Sequence, residues 1–437
     1  TWWCGSVHTL MHMQCYLLDM GDERVSRRRL LAAVALSGSV AGCTGVSDGG
    51  SRAGSPSDAA ASGASTTTDQ ANSMDAPDST TSVEITEVVT GGSSPWGLTF
   101  LPDESGLLVT EQAGKLLLAD VETGDQTVLT GIPEVHARGQ GGLLDVTLHP
   151  DFDTNRFVYL TYSVAGDGGS TTRVGRGRLD RDQGRLADFE PIYTARPFVE
   201  SNGHYGSRAV FDTEGYLYVS VGDRQFKNFG PDHVAQSLDN DLGSVLRLND
   251  DGSIPDSNPF VDDPDASDAV FTYGNRNPQG LAVHPETGAM WESEYGERDG
   301  DEINILEAGA NYGWPVADNS CKYGTDDPVG VPHDEREDVV APVYGWDCGS
   351  GGFPPGGMTF YDGEAFPDWR GDLFVAGLAK RYLAHFIVDG REVTEVEPLL
   401  ADRDQRIRDV MMSPVSGHLY VAVDADSAPI YRIAPGS

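Results

Sequence analysis

Lysine is almost absent from this chain. Only four of the 437 residues are lysines, and 68 acidic residues stand against 30 basic ones, so the formal net charge is −38. This charge argues against binding to nucleic acid through neutralised phosphates. A surface rich in aspartate and poor in lysine suits a protein kept soluble where salt screens the repulsion between its charges. We therefore predict adaptation to concentrated salt, with an ordinary acidic protein as the alternative.

The sequence also lacks the short motifs of several common cofactors. No Gly-x-Gly-x-x-Gly follows a strand, and there is no phosphate-binding P-loop, no His-Glu-x-x-His and no Cys-x-x-Cys-His. These absences argue against a nicotinamide cofactor on a Rossmann unit, phosphoryl transfer, zinc proteolysis and c-type haem. Amphipathic helical stretches are scarce as well, whereas 53 glycines and 25 prolines favour many short strands joined by turns.

Residues 1–43 contain the pattern of an export signal. Arginines at positions 27–29 precede a short apolar run, which resembles a twin-arginine signal, and the run ends in Val-Ala-Gly-Cys43, which resembles a lipidation site. The run is too short to span a bilayer. We predict export and a lipid anchor to the outer face of the cytoplasmic membrane, with a chance basic and apolar segment as the alternative. Residues 1–19 precede Met20 and are excluded from the fold prediction.

Residues 44–82 consist mainly of serine, alanine, aspartate, threonine and glycine. Such a composition buries too little apolar surface to offset the entropy of ordering. We predict a disordered linker at 44–82 and a folded domain at 83–437. Only Cys321 and Cys348 lie in that domain, and in an exported protein they can form a disulfide. Two unpaired buried thiols are the alternative.

A pattern of paired strands recurs along the predicted domain. Each copy has an apolar strand, a turn containing glycine and usually Pro-Asp or Pro-Glu, and a second apolar strand. The six copies lie at residues 96–110, 143–160, 209–219, 280–291, 357–375 and 410–421. This repetition predicts an all-β fold, a six-bladed β-propeller, in which the strand at residues 83–89 completes the last blade and closes the ring. A pair of β-sandwiches is the alternative, but it does not require self-similar units.

Charged residues in the loops between these strands are the candidates for chemistry. Arg406 and Arg408 are two positions apart on a predicted strand, so they project to the same side and can bind carboxylates. Lys380 follows the fifth copy. His204 precedes the third copy and Asp223 follows its hairpin, an arrangement that fits a base oriented by a carboxylate. For each of these residues taken alone, a structural ion pair or hydrogen bond is the alternative.

Acidic residues cluster at 294–302, and a glycine-containing turn follows at 311–315. Carboxylates and the carbonyls of a backbone bent at glycine are hard oxygen ligands that suit calcium. The spacing is not that of an EF-hand. An acidic surface loop is therefore the alternative to a calcium site.

Seven segments resemble, in order, motifs of the soluble dehydrogenases that use pyrroloquinoline quinone (PQQ) to oxidise glucose and other aldoses, the glucose/sorbosone dehydrogenase family. They are GQGGLL at 139–144, GH at 203–204, VGD at 221–223, LGSVLRL at 242–248, RNPQG at 276–280, DEIN at 301–304 and RIRD at 406–409. The resemblance extends from Pro95 through the last repeat. With its acidic charge and export signal, the chain is similar to a haloarchaeal lipoprotein of this family.

The resemblance implies a six-bladed propeller that oxidises aldose sugars at C1 to the lactone, using PQQ and calcium and passing electrons to an external acceptor. The residues that it implies are His204, Arg276 and Asp223 for catalysis; Asn277, Lys380, Arg406 and Arg408 for PQQ; Gln140, Asp223 and Trp346 for the sugar; the carbonyls of Gly296 and Glu297 for calcium; and Asp301, Glu302 and Tyr312 for a second, structural calcium. The alignment at Lys380 needs a gap of one residue.

Two positions depart from the family pattern. Asn275 stands where the family usually has histidine before Arg-Asn-Pro-Gln-Gly, and Glu297 stands where it has proline. The calcium ligands that the resemblance implies are backbone carbonyls, which a change of side chain does not remove, so calcium binding is not excluded. Two other functions remain as alternatives. One is a non-catalytic binding propeller, and the other is a metal-dependent lactonase, which needs carboxylates rather than a basic cradle around its central site. The particular sugar, the acceptor and the oligomeric state stay open.

Overall fold

The structure is a computed structural model that describes residues 81–436. The predicted export signal and lipid anchor lie outside these residues, as does the predicted linker apart from residues 81 and 82. The described chain is almost entirely β-structure. Its strands form six four-stranded antiparallel sheets, which confirms the prediction of a six-bladed β-propeller.

The strands follow one another in chain order, apart from the first, which belongs to the last sheet. The first strand is β1 (Val83–Ser93), and blade 1 contains β2 (Pro95–Phe100), β3 (Leu107–Glu111), β4 (Lys115–Ala119) and β5 (Gln126–Leu129). Blade 2 contains β6 (Leu143–Leu148), β7 (Phe157–Gly166), β8 (Gly169–Asp180) and β9 (Arg185–Thr194). Blade 3 contains β10 (Ala209–Phe211), β11 (Leu217–Val221), β12 (Ser244–Leu248) and β13 (Val270–Tyr273).

The second half of the ring repeats this arrangement. Blade 4 contains β14 (Pro278–Val283), β15 (Met290–Glu294), β16 (Asp301–Ile305) and β17 (Tyr344–Trp346). Blade 5 contains β18 (Pro355–Phe360), β19 (Leu373–Gly377), β20 (Leu383–Asp389) and β21 (Glu392–Glu395). Blade 6 contains β22 (Ile407–Met412), β23 (Leu419–Val423) and β24 (Asp426–Pro435), with β1 as its fourth strand.

The ring closes by pairing the two ends of the described chain. Strand β1 is antiparallel to β24, with Val83 opposite Pro435 and Val89 opposite Ile430. This confirms the prediction that residues 83–89 complete the last blade. Because β1 covers the edge of β24, the last blade has four strands like the others, with β1 as its outermost strand.

Within residues 81–436, helical structure is limited to single turns. They are α1 (Phe152–Asn155) and the 3₁₀ turns Val234–Gln236, His333–Glu335, Pro367–Trp369 and Ala401–Arg403. The tight turns of the β10–β11 and β14–β15 hairpins use Gly215 (φ +88°) and Gly288 (φ +71°), which adopt the left-handed region without steric cost. The scarcity of helix in the sequence is therefore matched by the structure.

The apolar core lies between neighbouring blades rather than inside one of them. Leu98 and Phe100 of blade 1 pack with Tyr420 and Ile430 of blade 6, for example. The inner strands are covered on both faces, so β2 and β3 are buried along their whole length, whereas the outermost strand β5 is mostly exposed. Each buried large apolar side chain contributes about 1.5–3 kcal/mol, so contacts between blades hold the ring together.

A buried ion cluster joins the innermost strands at the centre of the ring. The Arg208 guanidinium lies 2.8 Å from Asp145 Oδ1 and 3.2 Å from Asp409 Oδ2, and its Nε donates to the carbonyl of Gln279 at 3.0 Å. Asp409 Oδ2 also accepts the backbone N–H of Leu98 at 2.8 Å. These contacts connect blades 1, 2, 3, 4 and 6, and no pattern in the sequence predicted a role for Arg208 in such a cluster.

Cys321 and Cys348 form a disulfide, with their Cα atoms 5.3 Å apart, which confirms the predicted pairing. The bond ties the long β16–β17 connection to the segment after β17. Within residues 81–436 no helix is long and apolar enough to cross a membrane.

Candidate active site

The predicted site residues gather at one end of the propeller. In each antiparallel blade, the start of the innermost strand and the end of the second strand lie at the same end. His204 precedes β10, Arg276 precedes β14 and Arg406 precedes β22, whereas Asp223 follows β11 and Gly296 follows β15. The repeat therefore explains why residues far apart in sequence share one surface of the ring.

His204 and Asp223 form a buried pair. The Nδ1 atom of His204 lies 2.6 Å from Oδ1 of Asp223, and Trp314 Nε1 donates to Oδ2 of the same carboxylate at 2.8 Å. His204 has a φ of +47°, so the chain bends sharply there and turns the imidazole inward. Because Nδ1 is engaged, Nε2 is the ring nitrogen left without a partner among residues 81–436.

The surroundings keep this histidine neutral. Burial, together with the nearby positive charge of Arg276, lowers the pKa of His204 to about 4, against the opposing effect of Asp223. Burial acts to raise the pKa of Asp223, but His204 and Arg276 outweigh it and the pKa lies below its ordinary value. At neutral pH the pair is thus a neutral imidazole beside a carboxylate, the protonation state that a general base needs.

Gln140 lies directly beside this pair. Its Oε1 accepts the backbone N–H of His204 at 2.7 Å, and its own backbone N–H donates to the carbonyl of Asn202 at 2.8 Å. The side chain is exposed on the loop before β6. Gln140 therefore holds the bend that carries His204, and it lies on the open side of the site where a substrate residue is predicted.

Arg276 is buried next to the same pair. Its Nη2 donates to Glu297 Oε2 at 2.7 Å, its Nη1 donates to the carbonyl of Tyr295 at 3.3 Å, and its guanidinium lies 5.0 Å from the Trp314 ring. Its backbone carbonyl accepts the N–H of Asp223 at 2.7 Å. Arg276 and the His204–Asp223 pair therefore belong to one hydrogen-bonded unit.

Asn277 connects the third and fourth blades. Its Oδ1 accepts the N–H of Gly206 at 3.1 Å, while its buried Nδ2 has no partner among the described residues. The neighbouring Asn275 donates to Glu294 Oε1 at 3.1 Å. Asn275 thus has a defined structural contact at the position where the family usually has histidine.

Arg406 and Arg408 converge as their spacing predicts. Arg406 Nη2 and Arg408 Nη2 each lie 2.9 Å from the same atom, Asp424 Oδ2, and Arg408 Nη1 also donates to Gln279 Oε1 at 3.1 Å. Asp424 was not among the residues predicted from the sequence. Lys380 lies beyond β19 with its Nζ on the carbonyl of Ser350 at 2.7 Å, and its side chain is exposed.

The loop after β15 presents two free carbonyls. The carbonyls of Gly296 and Glu297 accept no hydrogen bond from the described residues. The Glu297 side chain is not free, because it pairs with Arg276 and with Lys227. Asp301 holds this loop: its Oδ1 accepts the N–H of Gly296 at 3.1 Å and its Oδ2 accepts that of Phe353 at 2.5 Å.

The predicted second metal site contains more acidic residues than were predicted from the sequence. Asp301 differs from that prediction, because both its oxygens are occupied by backbone amides. The Tyr312 hydroxyl donates to the carbonyl of Ile305 at 2.7 Å, so of Tyr312 only the carbonyl, which lies 3.3 Å from His333 Nε2, could serve a metal. Glu302 fits better, because its Oε1 is buried and unpartnered among residues 81–436.

Three further carboxylates surround Glu302. Glu294 lies opposite Glu302, and Glu292 lies opposite Asn304, across the β15–β16 ladder. Burial, together with repulsion from Asp318 and from the other glutamates, raises the pKa of Glu302 well above its usual value. The alternating acids of Trp-Glu-Ser-Glu in β15 were the available signal for this cluster, since period two puts both side chains on one face.

Trp346 is buried and does not form an open platform for a sugar, in contrast to its predicted role. It is 6% exposed, and one ring face is covered by Phe353 at a centroid distance of 4.4 Å and an interplanar angle of 3°. Its Nε1 has no partner among the described residues. Trp346 therefore contributes at most an edge and one face, because most of its surface is packed in the core.

Buried unpartnered donors mark where an acidic cofactor would fit. They belong to four predicted site residues and are Arg276 Nε, Asn277 Nδ2, Trp346 Nε1 and Arg408 Nε. A buried donor without an acceptor costs about 1–3 kcal/mol, so a ligand that supplies acceptors here is favoured. The donor set and the two convergent arginines fit a small molecule with several carboxylates.

A propeller with a neutral histidine base and an arginine cradle at one end is of the kind that binds a small acidic cofactor and a hydroxylated substrate. The family of glucose/sorbosone dehydrogenases matches residues 93–432, and the chain belongs to this family. It is an oxidoreductase that acts on sugars. The family prediction made from the motifs is confirmed.

Individual relatives agree with this assignment. Aldose sugar dehydrogenase YliI of Escherichia coli (strain K12) is 41% identical over 345 residues, covering 78% of this chain and 90% of the relative. The apo-form structure of the soluble aldose sugar dehydrogenase from Escherichia coli has a TM-score of 0.74 and 39% identity, covering 81% of this chain and 100% of that chain. The PQQ-bound aldose sugar dehydrogenase from Streptomyces coelicolor has a TM-score of 0.66 and 26% identity, covering 82% and 99%.

Proposed function

We propose that this protein oxidises aldose sugars at C1 to the lactone with PQQ and calcium, and passes the electrons to an external acceptor. The observation that carries the proposal is the pairing of a neutral, buried His204 with Asp223 at the same end of the ring as the convergent Arg406 and Arg408. The PQQ-bound relative from Streptomyces coelicolor supports the choice of cofactor.

Arg406 and Arg408 would hold the carboxylates of PQQ, with Asn277 and Lys380 as further donors. Their guanidinium groups converge on one carboxylate, that of Asp424, and this convergence supports the proposal that they bind an anion. Arg408 Nε and Asn277 Nδ2 remain available for additional bonds. Bound PQQ would supply the two-electron acceptor that the side chains of this protein lack.

His204 would act on the sugar through Nε2. Asp223 holds the Nδ1 side of the ring, so Nε2 would take the proton of the C1 hydroxyl. Bound PQQ would supply the acceptor for the hydride from C1. Arg276 supplies a fixed positive charge beside the reacting atoms, where negative charge develops. Gln140, on the open side of His204, is suited to bind sugar hydroxyls.

Calcium would bind at two places. The free carbonyls of Gly296 and Glu297 are the ligands proposed at the cofactor, where calcium would supply a Lewis acid. The buried cluster of Glu302, Glu294 and the Tyr312 carbonyl is the proposed structural site. A divalent cation there would offset the repulsion among carboxylates that no lysine or arginine side chain of the described residues bonds directly. His333 Nε2 lies 3.7 Å from Glu302 Oε1, but burial lowers the pKa of His333 and so favours its neutral form.

Reconstitution tests the proposed function. Apo-protein is titrated with PQQ in the presence of calcium, and reduction of a redox dye is followed with a panel of aldoses. Turnover that requires PQQ, calcium and an aldose supports the proposal. Dye reduction without PQQ, or none with any aldose, contradicts it, and hydrolysis of a lactone without PQQ would favour a lactonase instead.

We propose export and lipid anchoring as the setting of this activity, on the basis of the arginines at 27–29 and of Cys43. Both lie outside the described residues. Replacing Cys43→Ala should move the protein from the membrane fraction to the soluble fraction of the host. Retention in the membrane fraction would contradict a lipid on this cysteine.

A further inference from the structure

Glu297 links the candidate catalytic arginine to the rim of the site. Its Oε2 lies 2.7 Å from Arg276 Nη2, and its Oε1 lies 2.7 Å from Lys227 Nζ. The Glu297 and Arg276 side chains are each 5% exposed, whereas the Lys227 side chain is 51% exposed. The carboxylate thus bridges one buried cation and one half-exposed cation on the loop after β11.

The Arg276 guanidinium has no other carboxylate partner within residues 81–436. Its remaining contacts are the carbonyl of Tyr295 at 3.3 Å and the ring of Trp314 at 5.0 Å. A charge-assisted hydrogen bond is stronger and more directional than either of these contacts. The orientation of Arg276 therefore depends mainly on Glu297.

We propose that Glu297 is a positioning residue, which fixes the Arg276 guanidinium beside the reacting atoms and couples it to Lys227 at the rim. This inference rests on the proposed function. Glu297 acts through Arg276 and not by contact with the sugar, because its carboxylate is occupied by the two cations. The backbone carbonyl of Glu297, a proposed calcium ligand, is unaffected by a change of its side chain.

The substitution Glu297→Gln tests this role. It keeps the length of the side chain but removes the charge, so Arg276 loses its fixed orientation and kcat should fall by about 10- to 100-fold, the range for a catalytic group displaced by about 1 Å. KM should change little. Because one negative charge is lost near the cofactor site, the apo-protein should bind PQQ at least as tightly in calorimetric titration. It should retain calcium binding through the carbonyl of residue 297, with at most a small loss of affinity.

A double-mutant cycle adds a second readout. Glu297→Gln should have little further effect on kcat in an Arg276→Lys background. Its effect should be additive with that of Arg408→Gln, because Arg408 bonds Asp424 and not Glu297. The matched control is Glu190→Gln, which removes a glutamate 3.3 Å from Arg176 on the surface of blade 2. This control should leave kcat, PQQ affinity and calcium affinity unchanged.

Three outcomes separate this inference from the proposed function. If the wild type oxidises aldoses and Glu297→Gln keeps its kcat, the positioning role is overturned and the proposed function stands. The same holds if kcat, PQQ affinity and Tm all fall together, because that is general damage to the fold. If the wild type reconstituted with PQQ and calcium oxidises no aldose, the proposed function fails and this inference fails with it.

Discussion

The affinity for PQQ should depend unequally on Arg406 and Arg408. Arg408 is 13% exposed at its side chain and bonds both Asp424 and Gln279, whereas Arg406 is 43% exposed and bonds Asp424 and, at 3.4 Å, the carbonyl of Leu378. Solvent screens an exposed charge more than a buried one. We therefore expect Arg408→Gln to weaken PQQ binding more than Arg406→Gln.

The magnitude follows from the exposure of each side chain. A charge-assisted hydrogen bond in a shielded site is worth about 1.5–3 kcal/mol, which corresponds to roughly 10- to 150-fold in Kd for the loss at Arg408. An exposed ion pair is worth about 0–1 kcal/mol, so the loss at Arg406 should be about fivefold or less. Because both arginines contact Asp424 Oδ2, the double variant should not be the sum of the two.

The assay is calorimetric titration of PQQ into calcium-loaded apo-protein of each variant. Arg391→Gln is the control, because Arg391 pairs with Glu307 at 3.3 Å on the surface, with about half of each side chain exposed. Thermal melts of the apo-proteins show whether a variant is folded. Equal losses of PQQ affinity in the two variants, a larger loss in Arg406→Gln, or unchanged affinity in both would refute the reasoning from exposure.

Four further predictions follow from other parts of the structure. His204→Ala should lower turnover by roughly 10²–10⁴-fold while leaving folding and PQQ binding intact. Since burial lowers the pKa of His204 to about 4, the wild-type kcat/KM should stay level down to about pH 5 and fall below it, where protonation removes the base. A fall in kcat/KM centred near pH 6.5 would contradict this lowered pKa. Arg208→Met should destabilise the domain by about 3–5 kcal/mol in denaturant titration, because it leaves Asp145 and Asp409 buried without a cation; a loss below about 1 kcal/mol would show that the cluster is not needed for closure. Calcium at about a hundredfold excess over its Kd should stabilise chelator-treated protein by about 2.7 kcal/mol. Glu302→Gln should reduce this stabilisation, and an equal stabilisation of the variant would place the structural calcium elsewhere. Tm should rise with KCl as the net charge of −38 is screened, and a flat or falling trend would contradict adaptation to salt.

The arrangement of the blades could be read from the sequence because it is local and repeated. Each hairpin pairs strands that are neighbours in the chain, so six copies of one pattern were enough to predict the number of blades and the closing role of residues 83–89. The same two-residue period predicted that Arg406 and Arg408 project together, and they meet at Asp424. The repeat of hairpins follows from the alternation of side chains along each strand. The convergence of the two arginines agrees with the predicted spacing, although Arg406 precedes β22 and Arg408 lies at a register shift between Ile407 and Asp409.

Contacts between blades could be recognised only in the tertiary structure. Arg208 and Asp409 are 201 residues apart, and nothing in the local pattern of either segment says that their side chains meet at the centre of the ring. Likewise, the departure at Glu297 is visible in the sequence, but its bridge between Arg276 and Lys227 arises where loops of neighbouring blades pack together. Periodicity determines which face of a strand a residue occupies, whereas the partner on that face depends on how the blades close around the axis. For that reason the sequence alone predicted the ring and the candidates for catalysis, and the three-dimensional packing decided which charges neutralise one another and which donors remain free for a ligand.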